Sequence, residues 1–471
     1  MRRIDSKGAC DTPRKLKVLA ALVLATLALS AGYAQAAGAA ASGGTSPLPS
    51  GTPAAAAGVF RYSDELPSDF RDPSGFYLGA TETMRILPYK GKLFASTGCW
   101  MDLPYLKPKG ADPWTGPKIL VKDGYGLPWR VEKAFPASVR VDGLFAARFT
   151  TYADGSPMPP VDMLIAGPSS PREAKAWTRD DSTGEWTATT GFPSKGGGIR
   201  SFGMHRDAVT GISHIFAGAA RGGGIYRGSF DPAVPGRIRW AEEPELSGTG
   251  RVMCMAEADG NLYIACGIAD DPPHEGGLYV RQDGKTPSWK RVWQWPYKTV
   301  ADKDESEIAR GLTAVRGADG RDTLLCTAAY PGVVYRIEPS KDHAVTVELD
   351  IKAYFAKAWG RKEYRGPALS AYNDMVPYRL PSGEDVLLFG AAVGPGDPAP
   401  HGAWFLIRHS GGTYSHEYVP ALSGRSIESV RTIAASPFPE EPGAIYLGGY
   451  DCASRESHNT AWIYRGVPGQ Y

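Results

Sequence analysis

Five arginines recur at matching places in this 471-residue chain, each followed by any residue and then a large apolar one. The copies are Arg85-Ile86-Leu87, Arg200-Ser201-Phe202, Arg251-Val252-Met253, Arg310-Gly311-Leu312 and Arg431-Thr432-Ile433. A guanidinium grips a carboxylate or sulfate through two parallel hydrogen bonds, so a ring of such groups would favour an acidic ligand. A structural use is open as well. Glu82, Glu307 and Glu428 each stand three residues before an arginine (Arg85, Arg310 and Arg431), and such pairs can lock neighbouring elements together. Arg200 and Arg251 have no such glutamate and are the better ligand candidates, with Trp100 and Asn373 as further substrate contacts.

Proton transfer calls for a different set. His401, His458, Tyr330 and Tyr450 can remove the proton beside a uronate carboxylate while an arginine stabilises the enolate-like intermediate. His274 with Asp270 offers ligands for a divalent metal, although no compact ligand spacing is present and the sequence demands no cofactor. There is no phosphate-binding loop, dinucleotide fingerprint or zinc-helix motif. Cys254, Cys266 and Cys326 fall in apolar runs and read as core residues. Cys99 and Cys452 follow the second strand of the first and last repeats, where a disulfide would staple the two ends of the fold.

These side chains need a scaffold, and the repeat supplies it. Each arginine motif opens a strand that is followed by a turn and a second apolar strand ending in small residues. Gly143-Leu144-Phe145 and Asn373-Asp374-Met375 take the motif's place in two further units. Seven units of a few strands each predict an all-β, seven-bladed propeller of four-stranded antiparallel blades; six or eight blades follow if one unit is misread. The first unit is expected over Thr83 to Tyr89, Lys92 to Ser96, Lys118 to Lys122 and Trp129 to Phe135. The last has only three strands before the chain ends. The N-terminal Gly58 to Tyr62 strand is free to complete it and remove an open sheet edge. Second-to-third-strand loops would then share one face with Trp100, Asp270, His274, Tyr330, His401, Tyr450 and His458. A short helical pattern near Tyr354 to Trp359 would help wall a cleft there.

A second repeat supports the count. Asp123, Asp180 and Asp283 each precede a tryptophan by six residues (Trp129, Trp186 and Trp289), with Asp-Gly or Asp-Asp at the turn. The pattern loosely resembles the Asp-box turn of sialidase-type propellers, which implies fold rather than activity. At the level of architecture, export and site chemistry the chain also resembles secreted seven-bladed lyases and rhamnosidases, with no motif matched residue by residue.

Composition bounds the rest. A net charge of +2 gives no bulk reason to bind nucleic acid, and 57 Gly with 39 Pro fit many short strands joined by turns. Residues 1–36 read as a signal peptide, with a basic start, an apolar run from Val18 to Leu29 and small residues at Ala34-Gln35-Ala36. Residues 37–57 form an Ala/Gly/Ser/Pro-rich linker, and 58–471 a single propeller domain. The expectation is an exported monomer without a transmembrane segment after signal cleavage. It would cleave an acidic glycan by β-elimination or hydrolysis, or bind a glycan or protein partner without catalysis.

Overall fold

Apolar runs rich in Val, Ile, Leu and aromatic residues, cut every few positions by glycine-bearing turns, favour short antiparallel strands over helices. A computed structural model shows this arrangement. It describes residues 59–469 except 68–69, 76–77, 79, 100–115, 170–174, 190–196, 220–223, 268, 271–272, 275, 296–308, 329–331, 364–367, 371–373, 394–401, 423–426, 428 and 451–459.

The strands form four-stranded antiparallel meanders, numbered one to seven along the chain. Meander one is Glu82–Tyr89, Lys92–Gly98, Lys118–Lys122 and Arg130–Ala134. Meander two is Arg140–Thr151, Pro157–Ser169, Trp177–Arg179 and Trp186–Ala188. Meander three is Ile199–Arg206, Ser213–Ala219, Ile225–Phe230 and Ile238–Trp240. Meander four is Val252–Ala258, Asn261–Cys266, Gly277–Gln282 and Ser288–Gln294. Meander five is Ala309–Arg316, Asp322–Ala328, Val333–Glu338 and Ala344–Asp350. In meander six the opening strand is split into Ala368–Ser370 and Val376–Arg379, both paired with Asp385–Val393, before Gly402–Arg408 and Tyr414–Val419. Meander seven is Ser429–Ala435, Ile445–Tyr450 and Trp462–Pro468, and Phe60–Asp64 pairs with its outer strand. Meanders seven, one and two merge into one twelve-stranded sheet through single residue pairs, Glu82 with Tyr450 and Gly98 with Arg140.

The core lies between meanders rather than within them. Ile86, Leu120 and Trp129 of meander one pack with Tyr446 and Ile463 of meander seven, and Phe94 and Val121 pack with Leu144 and Leu164 of meander two. Equivalent clusters join two to three, three to four, four to five, five to six and six to seven. A strand buried on both faces explains why the second strands read as near-continuous apolar runs. The repeated tryptophans serve these seams. Trp129 stacks edge-on against Tyr446, Trp289 does so against Phe216, and the Trp186 indole donates to Glu132 at 3.0 Å. Their turn aspartates reach the same way, Asp181 accepting from Tyr89 at 2.8 Å and Asp283 meeting His205 at 2.9 Å.

Arginine–glutamate pairs stitch three of the seams farther out. They are Arg179 with Glu132, Arg281 with Glu245 and Arg408 with Glu348, at 2.8, 2.9 and 2.6 Å. The helical pattern is realised as Ile351–Ala358, capped by Asp350, whose side chain accepts from the Ala353 amide at 2.9 Å. Ile351 and Phe355 anchor it in the seam between meanders five and six.

Candidate functional site

Six opening strands carry a β-bulge at the same place, and the displaced residues are Met84, Asp142, Arg200, Met253, Arg310 and Arg431. A bulge places one extra residue on one strand and re-aims its side chain. This corrects the register of the arginine repeat. Arg200, Arg310 and Arg431 are bulge residues, whereas Arg85 follows its bulge by one position and Arg251 precedes its own by two. The five therefore do not occupy one equivalent ring.

Two of the bulge arginines engage carboxylates across the seams. Arg431 of meander seven pairs with Glu82 of meander one, and Arg200 of meander three pairs with Asp142 of meander two. Arg140 adds a second cation to Asp142 at 3.2 Å. Arg200, Arg431, Glu82 and Asp142 are all buried. The sequence pairing of Glu82 with Arg85 is thus replaced by a partner 349 positions away, because the seam brings Arg431 across while Arg85 turns to the Asp142 carbonyl. Glu307 and Glu428 lie outside the described residues. Arg200, a ligand candidate from sequence, sits inside a salt bridge instead.

Burial acts on the two carboxyls with opposite outcomes. It opposes ionisation of Asp142, but Arg140 and Arg200, with Arg431 and Arg251 behind them, outweigh it and hold the carboxyl below the usual carboxylate range. For Glu82 burial outweighs Arg431 and Arg140, and the nearby Asp142 charge adds to it, so that carboxyl is pushed up. Glu82 Oε1 has no hydrogen-bond partner among the described residues and lies over Gly98, where a Cβ would meet it at 2.9 Å.

Just past the bulges the opening strands converge on a cavity of about 270 Å³. Meanders two, three and four contribute Phe145, Phe202, Met204 and Met255 as apolar wall; Arg85, Asp374 and Glu257 are its charged members. Arg85 donates from Nε to the Asp142 carbonyl at 3.3 Å and holds Nη1 4.0 Å from Asp374 Oδ2. Asp374 Oδ1 accepts from the Leu312 amide at 3.0 Å, which fixes the carboxyl. Its side chain is 40 % exposed and lines the cavity. Burial pushes its pKa up despite Arg85 and the Leu312 amide. Glu257 has His205 Nδ1 3.5 Å behind it, and His205 in turn meets Asp283 at 2.9 Å. Asp374, Glu257 and Asp142 were not candidates from sequence. A signal existed for two of them: the two units that lack the arginine carry an aspartate next to its place, Asp142 before Gly143 and Asp374 after Asn373.

Of the expected site residues whose side chains the structure describes, only Arg85 lines this cavity. Arg310 and Arg251 stand at the same end of their strands, half-buried. Trp100, Tyr330, Asn373, His401 and His458 lie outside the described residues. Tyr450, Asp270 and His274 are described in backbone only, Tyr450 opposite Glu82 and Ser429, and Asp270 and His274 in a two-residue hairpin. Among the described residues no cluster of three or more His, Cys, Asp or Glu is placed to hold a metal. Cys254, Cys266 and Cys326 are buried in the core as expected, and Cys99 is buried too; Cys452 lies outside the described residues, so the bridge is not described.

No family model and no curated protein matches the chain. Among solved structures, an α-L-arabinofuranosidase from Fusarium graminearum aligns at 11% identity and TM-score 0.43, over 87% of this chain and 96% of that one. A candidate 6-phosphogluconolactonase from Bacteroides uniformis aligns at 12% and 0.41, over 76% and 89%. An exo-β-1,3-galactanase from Clostridium thermocellum aligns at 9% and 0.29, over 87% and 100%. Likeness this remote transfers no activity to the chain.

Proposed function

We propose that residues 58–471 form a seven-bladed propeller that cleaves an acidic glycan at the loop face above its central channel. Seam clusters that run in sequence and return from meander seven to meander one support the ring. The pairing of Phe60–Asp64 with Trp462–Pro468 supports closure of the last blade by the N-terminal strand. Export of a monomer rests on the signal-like segment 1–36 and the linker 37–57; among the described residues no helix is long and apolar enough to cross a membrane.

The observation that carries the reading is the cavity in which Arg85 faces an Asp374 carboxyl held up by burial, with Glu257 on the same wall. A carboxyl whose pKa is raised can donate its proton to a glycosidic oxygen while a second carboxylate activates water or attacks the sugar. In this scheme Asp374 is the acid, Glu257 the base or nucleophile, and Arg85 the group that receives a uronate carboxylate. Hydrolysis is favoured over β-elimination because the cavity presents carboxyls. Elimination would depend on His401, His458, Tyr330 or Tyr450 in the loops above, and a divalent metal, if one is used, on His274 and Asp270 there. One observation favours binding without catalysis: Arg200 and Arg431 are already paired with Asp142 and Glu82, leaving a less basic face than five open arginines would.

The test is a screen of mature protein against uronate-containing and neutral oligosaccharides, reading reducing ends and unsaturated-uronate absorbance in parallel. Reducing ends without absorbance, lost in Asp374→Asn, support hydrolysis. Absorbance that survives Asp374→Asn and disappears in His401→Ala or His458→Ala replaces it with elimination. Calorimetric binding without either signal leaves a glycan-binding module.

A further inference from the structure

The helix Ile351–Ala358 buries Ile351, Phe355 and Ala356, and the surface beside them is unusual. A depression of about 530 Å³ is lined there by Lys352, Ala353, Ala356, Lys357, Arg361 and Lys362, with Glu363 its single acid. Four cations against one anion make a local charge of +3 in a chain whose total is only +2. Helix stability accounts for part of this. Lys357 lies in the last turn, where the helix dipole favours a cation. Lys352 does the reverse: it lies in the first turn, which holds no acidic residue, and a cation there opposes the dipole. Arg361 is set over the Trp359 ring at 5.9 Å, so its guanidinium plane is held in one orientation beside the groove.

We propose that this groove is a docking site, separate from the cavity, for an extended polyanionic glycan. The choice of glycan as occupant rests on the preceding reading; the charge complementarity does not. Lysines that reach carboxylates or sulfates along a polymer release its condensed counterions, so binding should weaken steeply with salt. The groove and the cavity share no lining residue, so cleavage of a short oligosaccharide held in the cavity should ignore the groove.

The experiment uses the mature chain, the triple variant Lys352→Ser/Lys357→Ser/Lys362→Ser, and Arg85→Met, with polygalacturonate, neutral arabinan of similar length and anionic phospholipid vesicles as probes. Expected for the wild type is retention by polygalacturonate and not by arabinan. The triple variant should lose about tenfold or more of that affinity at low salt and show a shallower salt dependence, by roughly one unit of log–log slope per lysine that meets the polymer. Arg85→Met should keep most of the polymer affinity, and the triple variant should cleave short oligosaccharides at the wild-type rate. Groove-dependent polymer binding in a protein that cleaves nothing would support this site while removing the hydrolase reading. Wild-type polymer affinity in the triple variant, no retention of polygalacturonate at all, or tighter groove-dependent binding to vesicles would each overturn the proposal.

Discussion

At the scale of single residues the protein separates two uses of the same side chains. Asp142 and Glu82 are buried with arginines, where removal of one partner leaves a charge without compensation. Asp142→Asn should therefore destabilise by about 3–5 kcal/mol in urea unfolding, and a paired Asp142→Leu/Arg200→Met replacement should recover much of that loss. Asp374 has a different environment, open to the cavity and near a single arginine. Asp374→Asn should reduce kcat on a susceptible glycan by about 10²–10⁴-fold with little change in unfolding midpoint. Because burial raises the Asp374 pKa, the basic limb of the rate profile should report its deprotonation and vanish in that variant. The mispairing of Glu82 with Arg85 shows what sequence spacing lacks at this scale: three residues along a strand are no guide to a partner across a seam.

Strands and turns obey local rules more faithfully. In the first unit the second and third strands, Lys92–Gly98 and Lys118–Lys122, fall within two residues of their expected bounds, since apolar runs and turn residues set them. The bulges were not legible, because a bulge is a mismatch between two strands and leaves no mark in either alone. Close approach at seams is the other hidden constraint. A Cβ on Gly390 would meet the Val430 carbonyl oxygen at 1.9 Å, so Gly390→Ala should cost about 1–3 kcal/mol in denaturant stability by forcing meanders six and seven apart. His214, buried beside Ser229 in meander three, supplies a pH test. Burial, with Arg227 and Arg281 nearby, lowers its pKa to about 4. Between an unfolded-state value of about 6.5 and that folded value, only the unfolded chain binds the proton, so stability falls as pH drops through this window. His214→Gln should flatten the loss, by about 3 kcal/mol at most, in melts from neutral to acidic pH.

The whole molecule depends on its two ends meeting. Phe60–Asp64 covers the outer edge of Trp462–Pro468, and Glu417 of meander six accepts from the Val59 and Phe60 amides at 3.1 and 3.3 Å and from the Tyr62 hydroxyl at 3.3 Å. Truncation after Asp64 removes one strand of meander seven and leaves a hydrogen-bonding edge beside buried Trp462 and Tyr464. Such a protein should melt well below the full mature chain and aggregate on heating, by light scattering. A Glu417→Gln variant should show a smaller loss, since its amide oxygen keeps an acceptor for one of the two backbone donors while the NH2 faces the other.

The amino-acid sequence by itself determined the all-β class, the repeating unit and its turns, the seam tryptophans and the strand available to complete the last meander. Each of these is a local pattern of apolar periodicity or turn chemistry that a short stretch of chain can carry. Tertiary structure decided which arginines are paired, that Arg85 alone of the five lines the cavity, and that Asp374 and Glu257 share its wall. Those facts depend on how strands hundreds of residues apart are offset by a bulge and pressed together at a seam, and no spacing along the chain records that offset.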